Sequence, residues 1–186
     1  GVDTLILGGK WLNPALPNGV LFDGSPSGVL LESEDLWRKL ISEVRQRYTG
    51  QVAWGMSYRE GQILPPFLDA VDQVYLDWLI PAASPDEALP TIEDLTFSLG
   101  QVLDGRILEI QTAIGKPLTL VTQIPSEHGL DWQALATNAL LEAINQRDWI
   151  AGVVTGNYYP AAQIQDASSS VHGKPAEAVW QAWPAV

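Results

Sequence analysis

The chain contains no cysteine. This absence excludes disulfide bridges, thiolate metal sites and cysteine nucleophiles, and it leaves the redox compartment undetermined. Basic residues are also scarce, because ten Lys and Arg stand against 22 Asp and Glu for a formal net charge of −12. Nucleic acids and anionic membranes are bound by basic surfaces, so we expect neither as a partner.

Motifs for metals and cofactors are missing from the sequence as well. The two histidines, His128 and His172, are far apart and belong to no known metal-ligand spacing. There is no Gly-x-Ser-x-Gly elbow for a nucleophilic serine, and Gly8-Gly9 lacks the spacing of a phosphate-binding loop. We therefore expect no metal and no cofactor.

No apolar run reaches the length of a membrane span, and no signal peptide is visible. The chain starts at Gly1 without a methionine, so residues before Gly1 and the cellular compartment both stay open, an extracytoplasmic compartment included. A length of 186 residues with 46% apolar side chains predicts one domain covering residues 1–186.

Five apolar segments alternate with amphipathic ones along the chain. The predicted strands are 2–9, 51–58, 73–80, 117–124 and 149–159, and the predicted helices begin after the N-caps Ser33, Thr91 and Asp131 or with Pro175. The strands lack polar alternation and are joined by long crossovers, which predicts an α/β fold with a parallel sheet of about five βα units. Composition leaves open whether that sheet is doubly wound or part of an eight-stranded barrel.

Polar and aromatic side chains gather where the predicted strands end, which is the edge of a parallel sheet that binds ligands. Flat aromatic faces beside amide and carboxylate groups suit sugars. Core packing is the alternative explanation for the tryptophans, and a structural hydrogen bond is the alternative for Asp77. The candidate substrate-binding residues are Lys10, Trp11, Trp54, Tyr58, Asp77, Trp78, Gln123, Ser126, Asn157 and Tyr159.

The segment 12–32 is rich in glycine and proline and contains no predicted element of its own. A loop of that length is uncommon in a compact domain and is often functional. A plain surface insertion is the alternative interpretation.

The order and the residues of these segments resemble the C-terminal five βα units of a clan A (β/α)8 glycoside hydrolase, closest to the mannanase-like family 113. The matching pieces are 2–8 (VDTLILG) for the fourth barrel strand, 37–48 with 50–54 (GQVAW) for the next helix and the fifth strand, 71–78 (VDQVYLDW) for the sixth, 115–123 for the seventh, and 168–176 (SSSVHGKPA) before the last helix. The resemblance implies a partial or truncated TIM (β/α)8 barrel made of strands four to eight.

The resemblance also implies a chemistry. Retaining glycosidases of this kind use two glutamates about 5 Å apart, one as acid/base and one as nucleophile. Their positions fall on Lys10 and Gln123, neither of which can replace a carboxyl group. The expected function is a carbohydrate-binding or carbohydrate-processing domain whose retaining glutamates are replaced. Three further strands are expected before Val2, so a second copy or a missing N-terminal segment would cover the exposed sheet edge.

Two alternatives remain, so whether the chain is an enzyme stays open. It could be an active glycosidase that uses shifted carboxylates drawn from Asp23, Asp77, Glu127 and Asp166, with Asp77 and Glu127 as the catalytic candidates. It could also be a non-catalytic interaction module whose incomplete barrel is completed by a partner chain.

Overall fold

Five strands form one parallel sheet in the order β1-β2-β3-β4-β5. The computed structural model describes residues 1–59, 63–81, 89–160 and 166–183. The strands are β1 (Thr4–Gly8), β2 (Gln51–Ser57), β3 (Gln73–Leu79), β4 (Leu118–Gln123) and β5 (Gly152–Thr155). The predicted α/β fold with about five parallel strands is therefore confirmed.

The strands differ in how completely they are covered. Val52 and Ala53 of β2 are fully buried, as expected for a strand with both faces packed. β1 pairs with β2 in register from Thr4 opposite Gln51 to Gly8 opposite Gly55, yet Ile6 at its centre is 49% exposed. β1 is thus an edge strand with one open face.

Among the described residues, five α-helices accompany the strands: α1 (Glu34–Arg45), α2 (Ile92–Val102), α3 (Leu108–Ile114), α4 (Leu130–Asn145) and α5 (Pro175–Ala182). A π-helical segment, Leu103–Ile107, separates α2 from α3. The interruption contains Gly105.

The predicted N-caps fared differently. Thr91 caps α2, since its Oγ1 accepts a hydrogen bond from the backbone N–H of Asp94 at 3.1 Å. Ser33 precedes α1 but makes no capping bond, because its backbone is already helical at φ −67 and ψ −11. The prediction for Asp131 was wrong: Gly129 is the N-cap of α4, and Asp131 lies in the first turn.

Two further boundaries differ from the predicted ones. The segment 12–32 is not without elements, because a 3-10 helix runs over Lys10–Ala15 and another over Leu31–Ser33. β5 covers four residues instead of the predicted span 149–159, since Ile150 closes a turn onto the carbonyl of Arg147 at 3.3 Å.

The chain divides into two compact units, Gly1–Leu76 with Ile110–Thr119, and Asp77–Glu109 with Leu120–Val186. In the first unit, α1 is tied to the 66–72 segment by ion pairs of Arg38 with Asp69 and of Arg45 with Asp72. In the second, α2 and α5 both pack on the largely buried α4.

Within the described ranges, no helix has the length and apolar character that a membrane crossing requires.

Candidate functional site

A cavity of about 320 Å³ opens in the first unit at the carboxyl ends of β1 and β2. Its lining includes Lys10, Trp54, Ser57 and Arg59 together with the loop that follows β1. The volume lies at the lower end of the range of small-molecule sites, and the position is the one where parallel sheets bind ligands.

The loop wall of this cavity is fixed by its own hydrogen bonds. Asn13 Oδ1 accepts from the backbone N–H of Val20 at 2.8 Å, and the N–H of Gly19 donates to the Leu16 carbonyl at 2.9 Å. A Cβ on Gly19 would lie 1.9 Å from the carbonyl oxygen of Asn13, so only glycine fits there. The segment predicted to be either functional or a plain insertion therefore forms a built cavity wall.

Lys10 and Trp11 lie at the start of this wall. Lys10 Nζ is 5.1 Å from the centroid of the Trp11 ring, and the indole of Trp11 is 70% exposed and lies 5.9 Å from the ring of Phe22. Within the part of the chain that the structure describes, no carboxylate forms an ion pair with Lys10. Its ammonium group lies instead over an aromatic face.

Trp54 is both a core residue and part of the cavity lining. It is 1% exposed and packs edge-on against Phe67 at 4.8 Å and Trp37 at 5.5 Å. Its indole N–H has no acceptor among the described residues, which is unusual for a buried donor. Trp78 is also buried, whereas Tyr58, one residue after β2, is partly exposed.

In the second unit, Asp77 and Gln123 meet. Gln123 is the last residue of β4, and its Nε2 donates to Asp77 Oδ1 at 2.7 Å. Both residues are half-buried. The carboxylate that interrupts the apolar run of β3 thus has an amide partner, which meets the requirement that a carboxylate inside a covered strand be satisfied.

A second polar group in this unit centres on Lys174. Its Nζ lies 2.9 Å from Asp166 Oδ2 and donates to Ser126 Oγ at 3.0 Å and to the Ser168 carbonyl at 2.9 Å. Lys174 and the Ser168 hydroxyl and N–H lower the pKa of Asp166 to about 2. The Lys174 and Asp166 side chains are only 6% and 16% exposed. We call Ser126, Asp166, Ser168 and Lys174 the Lys174 network.

The Lys174 network accounts for the hydrogen bonds of Ser126, a residue that the sequence analysis lists among the ligand-binding candidates. Its hydroxyl donates to the carbonyl of Asp166 at 2.7 Å and receives a hydrogen bond from Lys174. Sequence reasoning missed Lys174 as its partner. The local signal was the Asp166-Ala167-Ser168 turn, where the carboxylate accepts from the Ser168 N–H at 3.1 Å and from its hydroxyl at 2.8 Å.

The remaining candidates lie in the loops of the second unit. Asn157 Nδ2 donates to Ser169 Oγ, and the Tyr159 backbone exchanges two hydrogen bonds with Ser170 Oγ, at 3.0 and 2.6 Å. Glu127 is exposed, with its Oε1 3.6 Å from His128 Nε2. In the described ranges no three His, Cys, Asp or Glu side chains are grouped as a metal would require.

Solved structures share this architecture. A GH113 β-1,4-mannanase matches 97% of this chain and 56% of its own, with a TM-score of 0.60 at 21% identity. The GH113 β-mannanase AaManA from Alicyclobacillus acidocaldarius, solved in complex with ManMIm, matches 81% of this chain at 26% identity, with a TM-score of 0.53 over 50% of its own length. A β-glucuronidase from Bifidobacterium dentium, complexed with coumarin-3-O-glucuronide, gives a TM-score of 0.55 at 14% identity, over 83% of this chain and 28% of that one.

No protein-family model and no curated protein matches the sequence. The chain spans about half the length of the mannanases that it matches. The resemblance seen in the sequence is nevertheless confirmed: in fold, the chain is similar to about half of a TIM barrel of the GH113 β-mannanase type.

Proposed function

We propose that this chain is a carbohydrate-binding domain of glycoside hydrolase type that lacks the retaining mechanism. The observation that carries the proposal is the hydrogen bond from Gln123 Nε2 to Asp77 Oδ1 at 2.7 Å. The family pattern has its nucleophilic glutamate at the end of this strand, and an amide that already donates to a carboxylate is a poor nucleophile. Lys10 occupies the acid/base position and offers an ammonium group in place of a carboxylic acid.

The available groups suit sugar hydroxyls. In the second unit, the paired amide and carboxylate of Gln123 and Asp77 supply donors and acceptors for such hydroxyls. In the first unit, taken by itself, the exposed ring of Trp11 offers an apolar face of the kind on which the C–H side of a sugar stacks. The solved relatives that carry sugar-type ligands in their complexes support a carbohydrate as the partner of this chain as well.

The alternative of shifted carboxylates finds less support. A glycosidase acid needs a raised pKa in order to keep its proton near neutral pH. Hydrogen bonds from Ser25 lower the pKa of Asp23, and Lys174 with Ser168 holds the pKa of Asp166 at about 2. Asp77 is engaged by Gln123, and Glu127 lies on the exposed surface beside His128.

Two measurements test the proposal together: hydrolysis of aryl β-mannosides and β-1,4-mannan, and calorimetric binding of a β-1,4-mannohexaose. We expect binding without turnover in the wild type, and binding weakened about two- to tenfold in Gln123→Ala through loss of a hydrogen-bonding amide. Gln101→Ala, a change on the exposed side of α2, is the matched control. Turnover by the wild type that Glu127→Gln abolishes would show an active enzyme and overturn the proposal.

The same hydrolysis assay applied to Gln123→Glu and to the double variant Lys10→Glu/Gln123→Glu tests the two replaced positions. We expect Gln123→Glu alone to stay inactive, since Lys10 leaves the acid/base function unfilled. Activity in the double variant supports the assignment of the two positions. If Gln123→Glu alone is as active as the double variant, Lys10 does not occupy the acid/base position.

We also propose that the open face of β1 is covered in the functional protein, by a second copy of the chain or by residues that precede Gly1. Ile6 in this edge strand and Val2, two residues before the strand begins, are exposed, and uncovered apolar edges invite association. Light scattering on the 186-residue chain separates the two candidates. A dimer that Ile6→Lys dissociates supports the second copy, and a stable monomer excludes it.

A further inference from the structure

We propose that the cavity of the first unit binds a carboxylate-bearing sugar, such as the uronic acid unit of an acidic oligosaccharide. The inference rests on the proposed sugar-binding function and adds the charge class of the ligand. Three independent features of the cavity support it: the sign of its charge, an unpaired donor, and a wall that is already in place.

The charge of the lining is opposite to that of the chain. Lys10 and Arg59 line the cavity, and none of its described lining residues is an aspartate or a glutamate. The chain as a whole carries 22 acidic residues and a net charge of −12. The charged side chains among the described lining residues are thus both cationic, which favours an anionic group on a bound ligand.

Lys10 is available for this role. Its ammonium group contacts the Trp11 ring and has no carboxylate partner in the described part of the chain. A ligand carboxylate can therefore pair with it without displacing an existing ion pair. The exposed Trp11 ring beside it offers a face on which the sugar ring can stack.

Trp54 supplies the second feature. Its buried indole N–H lacks an acceptor among the described residues, although the residue lines the cavity. Buried donors in native proteins are nearly always satisfied by protein, water or ligand. The nitrogen is closed to solvent, so an oxygen of a bound sugar acid can accept from it only after neighbouring lining side chains shift, and the bond gained would be the stronger because that oxygen is charged.

The third feature is the preformed wall. The bonds from Val20 to Asn13 Oδ1 and from Gly19 to Leu16, together with the contact that only glycine permits at position 19, hold the loop before any ligand arrives. Little ordering is then required on binding, which favours affinity. The cavity is a built site and not a gap in a mobile loop.

The decisive experiment compares two oligosaccharides of equal length and linkage, a β-1,4-mannohexaose and a β-1,4-mannuronate hexamer, which differ only at C6. Calorimetry at 0.15 M salt, with citrate as a non-sugar anion, should show the mannuronate binding at least tenfold more tightly than either comparison ligand. Lys10→Met should weaken mannuronate binding about tenfold more than it weakens mannohexaose binding, while Lys10→Arg should keep most of the preference. Lys39→Met, on the exposed side of α1, is the matched control and should change neither.

Each other outcome counts against the inference. Equal affinity for the two hexamers, or binding of the neutral one alone, overturns the acidic ligand and leaves the proposed sugar-binding function standing. Binding of neither hexamer overturns both proposals. Citrate binding as tightly as the mannuronate would show a general anion site and overturn sugar recognition at this cavity. A Lys10→Met effect that Lys39→Met reproduces would place the charge effect outside the cavity.

Discussion

Two lysines of identical chemistry have opposite surroundings in this molecule. Lys174 is buried and has three oxygen partners, from Asp166, Ser126 and Ser168. Lys10 is exposed and rests on the ring of Trp11 without a carboxylate in the described part of the chain. Lys174 has oxygen partners for its ammonium group within the protein, whereas no described carboxylate pairs with the ammonium group of Lys10. The surroundings of these two lysines, more than their residue type, separate a structural role from a ligand-binding one.

The largest effect on stability is expected for Trp54, which packs in the core and also lines the cavity. Trp54→Ala removes a buried ring that packs on Phe67 and Trp37, and we expect a loss of about 3–5 kcal/mol in the free energy of unfolding. Trp11→Ala removes an exposed ring and should stay within about 0.5 kcal/mol. Urea denaturation followed by circular dichroism measures both. Equal losses would mean that the buried and the exposed indole contribute equally to stability, contrary to their burial.

The lysine comparison can be tested directly. Lys174→Met leaves the poorly exposed Asp166 carboxylate without its cation, so we expect the melting temperature to fall by several degrees. Lys10→Met removes no ion pair and should leave the melting temperature unchanged. Differential scanning calorimetry of the two variants under one buffer decides the matter. A larger drop for Lys10→Met would reverse the assignment of structural and ligand-binding roles.

A smaller effect is expected for Gln133, the buried amide of α4. Its Nε2 donates to the carbonyls of Ile124 at 2.8 Å and of Ser170 at 3.3 Å. Gln133→Ala leaves both carbonyls unsatisfied and should cost about 1–3 kcal/mol. We expect the lower part of that range, because Gln133 Oε1 itself has no donor among the described residues. Chemical denaturation measures the free energy of unfolding of this variant and of Gln101→Ala. Because Gln101 is exposed, the difference between the two losses gives the part that is due to the burial of Gln133.

The smallest effect concerns pH. The pKa of Asp166 is lowered from 3.8 to about 2, chiefly by Lys174, so the ionised carboxylate stabilises the folded state above pH 3.8 and this contribution is lost as the pH falls toward 2. Asp166→Asn should therefore melt below the wild type near neutral pH, and the two melting curves should converge between about pH 4 and pH 2. A gap that persists at pH 2 would show that the variant acts by a route other than charge.

The sheet was predictable from the sequence because its signal is local. Runs of apolar and β-branched residues such as 52–54 and 118–121 require cover on both faces, and the helical segments between them provide it. The ends of elements were less predictable, since Gly129 displaces Asp131 as the cap of α4 by adopting φ 115.

The candidate sites were predictable in position but not in pairing. Strand ends gave Asp77 and Gln123 as candidates, and the sequence left open that Asp77 is structural; their mutual hydrogen bond joins residues 46 positions apart. The pairing of Ser126 with Lys174 spans 48 positions and has no periodic signature. The burial of Trp54 together with its place in the cavity lining shows that core packing and site lining, treated as alternatives in the sequence, are compatible.

The solitary indole N–H of Trp54 also gives the molecule an internal reporter. Trp132 in α4 carries a second buried indole N–H without an acceptor among the described residues. In a nitrogen-15 spectrum both should resonate apart from the solvated indole of Trp11. Filling the cavity should move the indole N–H signal of Trp54 downfield, while the signal of Trp132 stays in place as a reference. The fraction of occupied cavities can therefore be followed from the Trp54 signal without attaching a reporter group to the chain.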